Sequence, residues 1–284
     1  MNIKGSTNIV GLIGHPVEHS FSPPMHNAAF EALKMDYVYV AFDVNPLNLK
    51  SAIKGARSLN VKGLNVTIPH KIEVMKYLDE IDEVAGLIGA VNTIDFKNMK
   101  GYNTDGIGAV KAIEEVTSIK NRNVVIAGAG GASRAISFYT AKYGADTLTI
   151  LNRNVEKARK LAGDVSDSDL IGTVESDSVS EIGRYLSDCD ILIDTTPLGM
   201  HPNVTDKPVA LAGDMHEDLV VFDAVYNPNE TVLIKEAVKA GARPVYGIKM
   251  LLYQGAESFR IWTGQNAPVD VMEKALRKTL NLEG

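Results

Sequence analysis

Residues 124–134 read Val-Val-Ile-Ala-Gly-Ala-Gly-Gly-Ala-Ser-Arg. A short apolar run rich in β-branched residues enters a glycine turn, and small residues suited to a helix follow. Such a turn brings backbone N–H groups and a helix N-terminus against a pyrophosphate. The pattern is Gly128-x-Gly130-x-x-Ser133, with serine where glycine or alanine is usual. By itself the turn is a weak signal, because it also fits a tight turn that binds nothing.

The next strand strengthens the dinucleotide interpretation. The segment 147–151 reads Thr-Leu-Thr-Ile-Leu, as expected of a strand, and runs into Asn152, Arg153 and Asn154. Asn152 lies 24 residues after Gly128. NAD-binding units usually carry Asp or Glu here to hold the ribose 2′-hydroxyl. A carboxylate would repel a 2′-phosphate, whereas Arg153 and Lys157 would attract one. A solvated helix start is the alternative, but cations there oppose the helix dipole. The sequence therefore predicts a preference for NADP.

The composition is that of an ordinary globular chain. Its 284 residues are 45% hydrophobic and 23% charged, which allows two domains. The net charge of −6 argues against a nucleic-acid binder. No apolar stretch is long enough to span a membrane, and residues 1–6 lack the apolar core of a signal peptide. The single cysteine, Cys189, excludes an internal disulfide. We expect a cytoplasmic protein, monomeric or homodimeric, without a metal site.

Strand-like and helix-like segments alternate along the whole chain. From Asn123 they predict a doubly wound parallel sheet, with strands at 124–127, 147–151, 170–174, 191–194, 219–224 and 243–246. The earlier residues predict a separate α/β domain, to which the apolar helix near the C-terminus returns. The expected division is a substrate domain of residues 1–105 plus 247–284 and a Rossmann-type NADP-binding domain of residues 106–246.

Polar residues of the first domain lie where strands end and helices begin. Ser20 and Ser22 precede a helix that starts at Pro23. Ser22 is either a plain N-cap or, with Ser20, part of a carboxylate-binding pair at that helix start. Farther along, Asn65 and Thr67 share one face of a predicted strand at 61–68, opposite apolar side chains that include Ile68.

Lys71 follows that strand, and Pro69 is expected to open a helix there. In the first turn of a helix the dipole disfavours a cation, which suits a lysine to proton transfer. An exposed surface lysine is the alternative. Asp105 either caps the next helix or pairs with Lys71. Asn92 and Gln254 add amides, and Gln254 lies in an otherwise apolar helix where an amide needs a partner.

Seven ordered motifs together resemble the shikimate dehydrogenase family over essentially the whole chain. They are Ser20-Phe21-Ser22-Pro23, Asn65-Val66-Thr67-Ile68-Pro69-His70-Lys71, Gly89-Ala90-Val91-Asn92-Thr93, Gly101-Tyr102-Asn103-Thr104-Asp105-Gly106, residues 128–134, Asn152-Arg153 and residues 247–254. The resemblance implies an NADP(H)-dependent oxidoreductase of the shikimate pathway, which leads to chorismate and the aromatic amino acids. The implied reaction is the reversible reduction of 3-dehydroshikimate to shikimate.

The resemblance also implies roles for individual residues. Lys71 and Asp105 would be the catalytic pair. The substrate-binding residues would be Ser20, Ser22, Asn65, Thr67, Asn92, Tyr226 and Gln254. The cofactor-binding residues would be Gly128, Ala129, Gly130, Gly131, Ala132, Asn152, Arg153, Lys157, Thr195, Gly247 and Met250. Asn154 stands where many NADP-dependent members carry threonine, and Ser22 stands where members that favour quinate often carry threonine.

Three alternatives remain open at this point. The first is a quinate/shikimate dehydrogenase that uses NAD, against which the acid-free stretch 152–154 argues. The second is a non-catalytic regulator that binds NADP or shikimate, against which the presence of both Lys71 and Asp105 argues. The third is a folate-linked dehydrogenase of similar plan, which the serine pair fits less well. Closure of the two domains would exclude water from the hydride path.

Overall fold

The computed structural model describes residues 3–282. They form two compact units, one made of the residues up to Thr104 together with those from Gln254 onward, the other of Asp105–Tyr253. The sequence boundary expected at 247 is the first residue of a continuous helix, Gly247–Thr263, which runs from the second unit into the first. No helix within residues 3–282 is long and apolar enough to cross a membrane.

The first unit holds one six-stranded sheet with helices. Its strands are β1 Asn8–Gly14, β2 Tyr37–Asp43, β3 Gly63–Val66, β4 Glu80–Ile81, β5 Thr93–Asp95 and β6 Lys100–Tyr102. Its helices are α1 Ser22–Ala32, α2 Leu49–Ser58 and α3 Glu83–Ile88, with 3-10 turns at Pro46–Asn48 and Glu73–Tyr77. The strand order is β2-β1-β3-β5-β6-β4. β1 runs parallel to β2 and β3, whereas β5 pairs antiparallel with β3 and β6.

The second unit is a doubly wound α/β fold, as predicted. Its strands are β7 Asn123–Ala127, β8 Thr147–Asn152, β9 Glu175–Ser178, β10 Ile191–Asp194, β11 Val220–Asp223 and β12 Arg243–Val245. Its helices are α4 Asp105–Glu114, α5 Gly131–Lys142, α6 Val155–Ser166, α7 Ile182–Leu186 and α8 Val232–Lys239, with 3-10 turns at Val179–Glu181 and Ala212–Asp214. The chain closes with α9 Gly247–Thr263 and α10 Val269–Thr279.

The sheet of the second unit is entirely parallel, in the order β12-β11-β10-β7-β8-β9. Counted from β7, this is the 3-2-1-4-5-6 arrangement of a Rossmann fold. The inner strands are buried on both faces, so they read as continuous apolar runs and their predicted positions are confirmed. The fold therefore places the end of β7, with its glycine turn, at the point where the strand order reverses.

The strand expected at 170–174 was placed wrongly. The edge strand β9 lies instead at Glu175–Ser178, where all four residues are polar. Among the described strands β9 pairs with β8 alone, and none of its four residues is buried. An edge strand of this kind carries no apolar pattern, because its side chains bury little surface.

The helix expected to open at Pro69 is absent. Residues 69–72 form turns, and the next helical segment is the 3-10 turn Glu73–Tyr77. His70 points inward, with its Nε2 atom 2.7 Å from the carbonyl oxygen of Val44, and the amide of Val91 donates to the carbonyl oxygen of Lys71. These tertiary bonds hold the chain in turns. The helix-dipole argument for Lys71 was therefore wrong.

Gly106 allows α4 to lie directly against α5. A Cβ atom at Gly106 would stand 2.3 Å from the carbonyl oxygen of Ala135 and 2.4 Å from Cδ2 of Tyr139. We expect Gly106→Ala to lower the free energy of unfolding by about 1–3 kcal/mol, because a backbone carbonyl in a packed helix cannot move aside cheaply. Urea unfolding measures this change.

Gly163→Ala is the matched control. Gly163 is exposed in the middle of α6 and has no atom within 4 Å of its added methyl position. There the same substitution should stabilise the protein by about 1 kcal/mol, the difference in helix propensity. Equal effects at the two positions would contradict the close approach of α4 and α5.

Candidate active site

The glycine turn of the second unit is built for a closely approaching ligand. Gly128 has a φ angle of +111°, and a Cβ atom there would lie 2.3 Å from Oγ1 of Thr195. Gly130 and Gly131 face open space, with no atom within 4 Å of an added Cβ. Ser133, the exception to the usual pattern, is fully buried and donates to the carbonyl oxygen of Gly128 at 2.7 Å. The Ser133 hydroxyl therefore ties the start of α5 to the first glycine of the turn.

Helix α5 begins at this turn with Gly130 as its N-cap and no side-chain cap. The first-turn N–H groups of a helix have no intrahelical acceptor, and here no N-cap side chain accepts from them. Ala129 and Ala132 beside them are only partly buried. Uncapped amides, positive helix dipole and open space at two glycines together suit a diphosphate. This combination is the physical fit of the turn to a dinucleotide.

The end of β8 carries the expected 2′-phosphate residues. Asn152 donates from Nδ2 to the carbonyl oxygen of Asn154 at 2.9 Å, and Asn154 caps α6 by accepting from the amide of Lys157 at 3.2 Å. The asparagine at 154 is therefore an ordinary N-cap. Arg153 and Lys157 are exposed, and the described residues offer neither of them an ion pair. Arg153 also lines a cavity of about 580 Å³.

Two buried carboxyl groups, which the sequence analysis missed, lie at the ends of neighbouring strands. Asp194 ends β10 and Asp223 ends β11, and the two are register partners. Asp194 accepts from the amide of Thr196 at 2.8 Å. Asp223 accepts from the amide of Val225 at 2.9 Å and from the hydroxyl of Thr231 at 2.6 Å. An acidic residue directly after each of two apolar runs was the available signal.

These carboxyl groups hold the loops that bear expected cofactor and substrate residues. Thr195 follows Asp194 and donates from its hydroxyl to the carbonyl oxygen of Ala127 at 2.8 Å. Tyr226 lies in the loop that Asp223 ties at both ends, and burial raises the pKa of its phenol. Gly247 opens α9, and a Cβ atom there would lie 2.5 Å from the carbonyl oxygen of Val225. Met250, one turn on, is partly buried.

The pKa of Asp194 is raised from 3.8 to about 8, first by burial and then by the neighbouring Asp223 carboxylate. Between these values the folded state keeps a proton that the unfolded state has released. The free energy of unfolding must then fall as the pH rises from about 4 to about 8. Asp223 acts with the same sign, because burial raises its pKa to about 6.

We expect Asp194→Asn to remove the Asp194 part of this decline. Asparagine cannot ionise, and its oxygen can still accept from Thr196. The free energy of unfolding, measured in urea at pH 5.5 and at pH 8, should fall less with rising pH for the variant than for the parent. The exposed Asp188 provides the control substitution, Asp188→Asn, whose profile should parallel the parent. A parallel profile for Asp194→Asn would contradict the raised pKa.

In the first unit, the expected serine pair lies before and at the start of α1. The amide of Ser22 donates to Oγ of Ser20 at 3.2 Å. The N-cap position is Phe21, and it has no side-chain cap bond, so Ser22 is not the plain N-cap. Ser22 is 8% exposed, and its hydroxyl bonds to the buried phenol of Tyr39, whose pKa is raised by burial.

A buried network of amides and hydroxyls lies at the end of β3 and the start of β5. Asn65 accepts from the Tyr39 hydroxyl at 2.8 Å. Its Nδ2 donates to Oγ1 of Thr93 at 3.0 Å and to Oγ of Ser258 at 2.9 Å. Asn92 donates from Nδ2 to Oγ1 of Thr104 at 3.0 Å and accepts from the Thr104 amide at 2.7 Å. The structure thus brings the expected amides of positions 65 and 92 together.

The remaining residues expected to bind substrate or to act in catalysis differ in how deeply they are buried. Thr67 is partly buried beyond β3 and lies beside Gly14, while Ile68 is 73% exposed and not on an apolar face. Lys71 is partly buried, and Gln254 is 9% exposed. Asp105 begins α4 in the second unit. Tyr39, Thr93, Thr104 and Ser258 were missed, although Thr93 and Thr104 lie inside recognised motifs.

The ring of a buried, neutral histidine, His26, packs against the ring of Tyr39. His26 is fully buried one turn after Ser22, and burial lowers its pKa to about 3. Its ring stacks flat on Tyr39, with centroids 4.4 Å apart and planes at 1°. The described residues contain no cluster of His, Cys, Asp and Glu that could hold a metal ion. His26 thus packs against Tyr39, whose hydroxyl donates to Asn65 in the polar network.

Three family models match successive parts of the chain. The shikimate dehydrogenase substrate binding domain matches residues 12–94, shikimate/quinate 5-dehydrogenase matches 110–233, and the shikimate 5′-dehydrogenase C-terminal domain matches 247–277. The shikimate dehydrogenase (NADP+) of Methanobrevibacter smithii is 71% identical over 280 residues, which are 99% of this chain and 100% of that protein.

Solved structures are similar over nearly the whole chain. A shikimate dehydrogenase crystallised with NADP+ has a TM-score of 0.92 at 50% identity, with 98% of each chain covered. The shikimate 5-dehydrogenase of Listeria monocytogenes, crystallised with shikimate and NAD, has a TM-score of 0.92 at 35% identity, with 97% of this chain and 98% of that one covered.

A parallel sheet in Rossmann order, whose first strand ends in an uncapped glycine turn, defines the class of dinucleotide-binding proteins. Within that class, the chain belongs to the shikimate dehydrogenase family. The resemblance inferred from the motifs is confirmed.

Proposed function

We propose that this chain catalyses the reversible, NADP(H)-dependent reduction of 3-dehydroshikimate to shikimate. The observation that carries the proposal is the pairing of two sites in one chain. The first unit holds a buried amide and hydroxyl network suited to a polyhydroxylated ring. The second holds a dinucleotide turn followed by two exposed cations, Arg153 and Lys157, to which the described residues offer no ion pair.

The second unit supplies the residues for NADP(H). The first-turn amides of α5 would hold the diphosphate, and Arg153 with Lys157 would hold the 2′-phosphate while Asn152 lies beside them. Thr195, Gly247 and Met250 would line the nicotinamide. The bound cofactor supplies the hydride for the ring ketone. No acid stands at 152–154 to favour a free ribose 2′-hydroxyl.

The first unit supplies the residues for the substrate. Ser20 and Ser22 would donate to its carboxylate, and the Ser22 amide is already tied to Ser20. Asn65, Thr67, Asn92 and Gln254 would bind the ring hydroxyls, and Tyr226 would be a further substrate-binding residue. Since these groups hold the ring in one orientation, most of their contribution is positional.

Lys71 is proposed to deliver a proton to the oxygen of the ketone as it gains charge, and to take it back in the reverse direction. Asp105 is its proposed partner, since a carboxylate beside an ammonium orients it and stabilises its charged form. Both side chains are partly buried, so each retains some access to water for re-protonation.

The test is the initial rate of nicotinamide reduction with shikimate and with quinate, each with NADP and with NAD. Activity confined to shikimate with NADP is the expected result. Comparable rates with quinate or NAD would place the chain among broader shikimate/quinate dehydrogenases. Binding without turnover in every pairing would indicate a regulator and overturn the proposal.

A further inference from the structure

Ser258 lies at the centre of the buried polar network of the first unit. It is fully buried on α9, one turn after Gln254. Its Oγ atom donates to the backbone carbonyl oxygen of Gln254 at 3.0 Å and lies 2.9 Å from Nδ2 of Asn65. The same atom lies 2.8 Å from Oγ1 of Thr93 and 3.2 Å from Oγ1 of Thr104. One hydroxyl therefore links α9 to β3, to β5 and to the segment that follows β6.

The donors and acceptors determine how the Asn65 amide is turned. The carbonyl oxygen of Gln254 can only accept, so the single hydroxyl proton of Ser258 is used there and its oxygen accepts from Asn65. The backbone carbonyl oxygen of Asn92, 3.3 Å from Nδ2 of Asn65, also only accepts. The nitrogen of the Asn65 amide must therefore face Ser258, and its oxygen must face the hydroxyl of Tyr39.

This arrangement limits what Asn65 can offer a ligand. Three acceptors compete for the two N–H groups of its Nδ2 atom. The oxygen receives one bond, from Tyr39, and keeps a second lone pair. The oxygen of Asn65 can therefore accept a hydrogen bond from a hydroxyl group of a ligand, such as a ring hydroxyl of a polyol. It does not suit a ligand carbonyl oxygen, which can only accept.

We propose that Ser258 is a positioning residue for the substrate. Its hydroxyl orients the Asn65 amide toward a donating ring hydroxyl and holds the turn of α9 that carries Gln254. Ser258 touches no reacting atom and acts through these two residues. This inference rests on the proposed function, because it takes shikimate as the ligand that Asn65 and Gln254 bind.

The test is Ser258→Ala, measured as steady-state kinetics with shikimate and NADP. We expect the KM for shikimate to rise about tenfold, because Nδ2 of Asn65 then keeps only Thr93 and the longer 3.3 Å contact to the Asn92 carbonyl oxygen, and the turn of α9 that carries Gln254 loses its bond to Asn65. The KM for NADP should stay within about twofold, because the network lies wholly in the other unit. A purely structural role would lower the unfolding midpoint and leave the KM for shikimate unchanged, and that result would overturn the inference.

Thr93 provides a second, isosteric test. Thr93→Val keeps the shape of the side chain but removes the hydroxyl that bonds to both Asn65 and Ser258, so it should raise the KM for shikimate as Ser258→Ala does. Thr93→Ser keeps the hydroxyl and should leave the KM near that of the parent. Equal KM values for the two Thr93 variants would also overturn the inference.

Ser137→Ala is the control for loss of a buried serine hydroxyl. Ser137 is fully buried in α5, and its hydroxyl has no partner among the described residues. Its replacement should change neither KM value. A parent chain that fails to oxidise shikimate would overturn the proposed function and this inference with it. An active parent with an unchanged Ser258→Ala variant would overturn this inference alone.

Discussion

Replacing Lys71 with alanine should lower kcat by about 10²–10⁴-fold, the usual contribution of a positioned acid or base. The KM for shikimate should change little, because the serine pair and the amide network would still bind the ring. Steady-state rates of shikimate oxidation, with NADP held saturating, measure both quantities. Asp105→Asn should lower kcat as well, because asparagine has the shape of the aspartate side chain but lacks the negative charge that is proposed to act on Lys71.

Lys76→Ala is the control for Lys71. Lys76 lies five residues on, is 68% exposed and pairs with Glu73 at 2.7 Å. Its loss should leave kcat unchanged, because an exposed ion pair of this kind contributes little. A large rise in KM for Lys71→Ala at unchanged kcat would show that Lys71 only binds substrate.

Replacing Arg153 with alanine should raise the KM for NADP and leave that for NAD nearly unchanged. A hydrogen bond to a charged group contributes about 1.5–3 kcal/mol, which corresponds to roughly a 10- to 150-fold change. NAD lacks the 2′-phosphate, so its binding should not depend on this guanidinium. The ratio of the two kcat/KM values measures the selectivity directly.

Arg159→Ala separates this effect from a general loss of positive charge around the start of α6. Arg159 lies on α6, six residues after Arg153, and pairs with Glu156. Its replacement should not change the ratio of the two kcat/KM values. If Arg153→Ala weakened NADP and NAD equally, Arg153 would contact a part that the two cofactors share, and the 2′-phosphate role would be excluded.

The Rossmann unit could be predicted because its chemistry is local. Its inner strands are buried on both faces and therefore read as apolar runs, and its glycine turn must satisfy a positive φ angle at Gly128. β9 could not be predicted in the same way, because an edge strand of residues 175–178 buries no apolar side chain. The turns at 69–72 could not be predicted either, since the inward bond of His70 comes from a residue on another segment.

The same distinction, between local sequence signals and contacts of distant segments, applies to the candidate site. The sequence alone determined which motifs are present, the absence of an acid at 152–154 and the residues to which the resemblance gives roles. Only the tertiary structure decided that Asp194 and Asp223 lie side by side at the ends of two neighbouring buried strands. It also decided that Ser258 bonds to Asn65, which lies 193 residues away along the chain. Local patterns report backbone preference and burial, whereas a hydrogen bond between distant segments depends on where the whole fold brings their side chains.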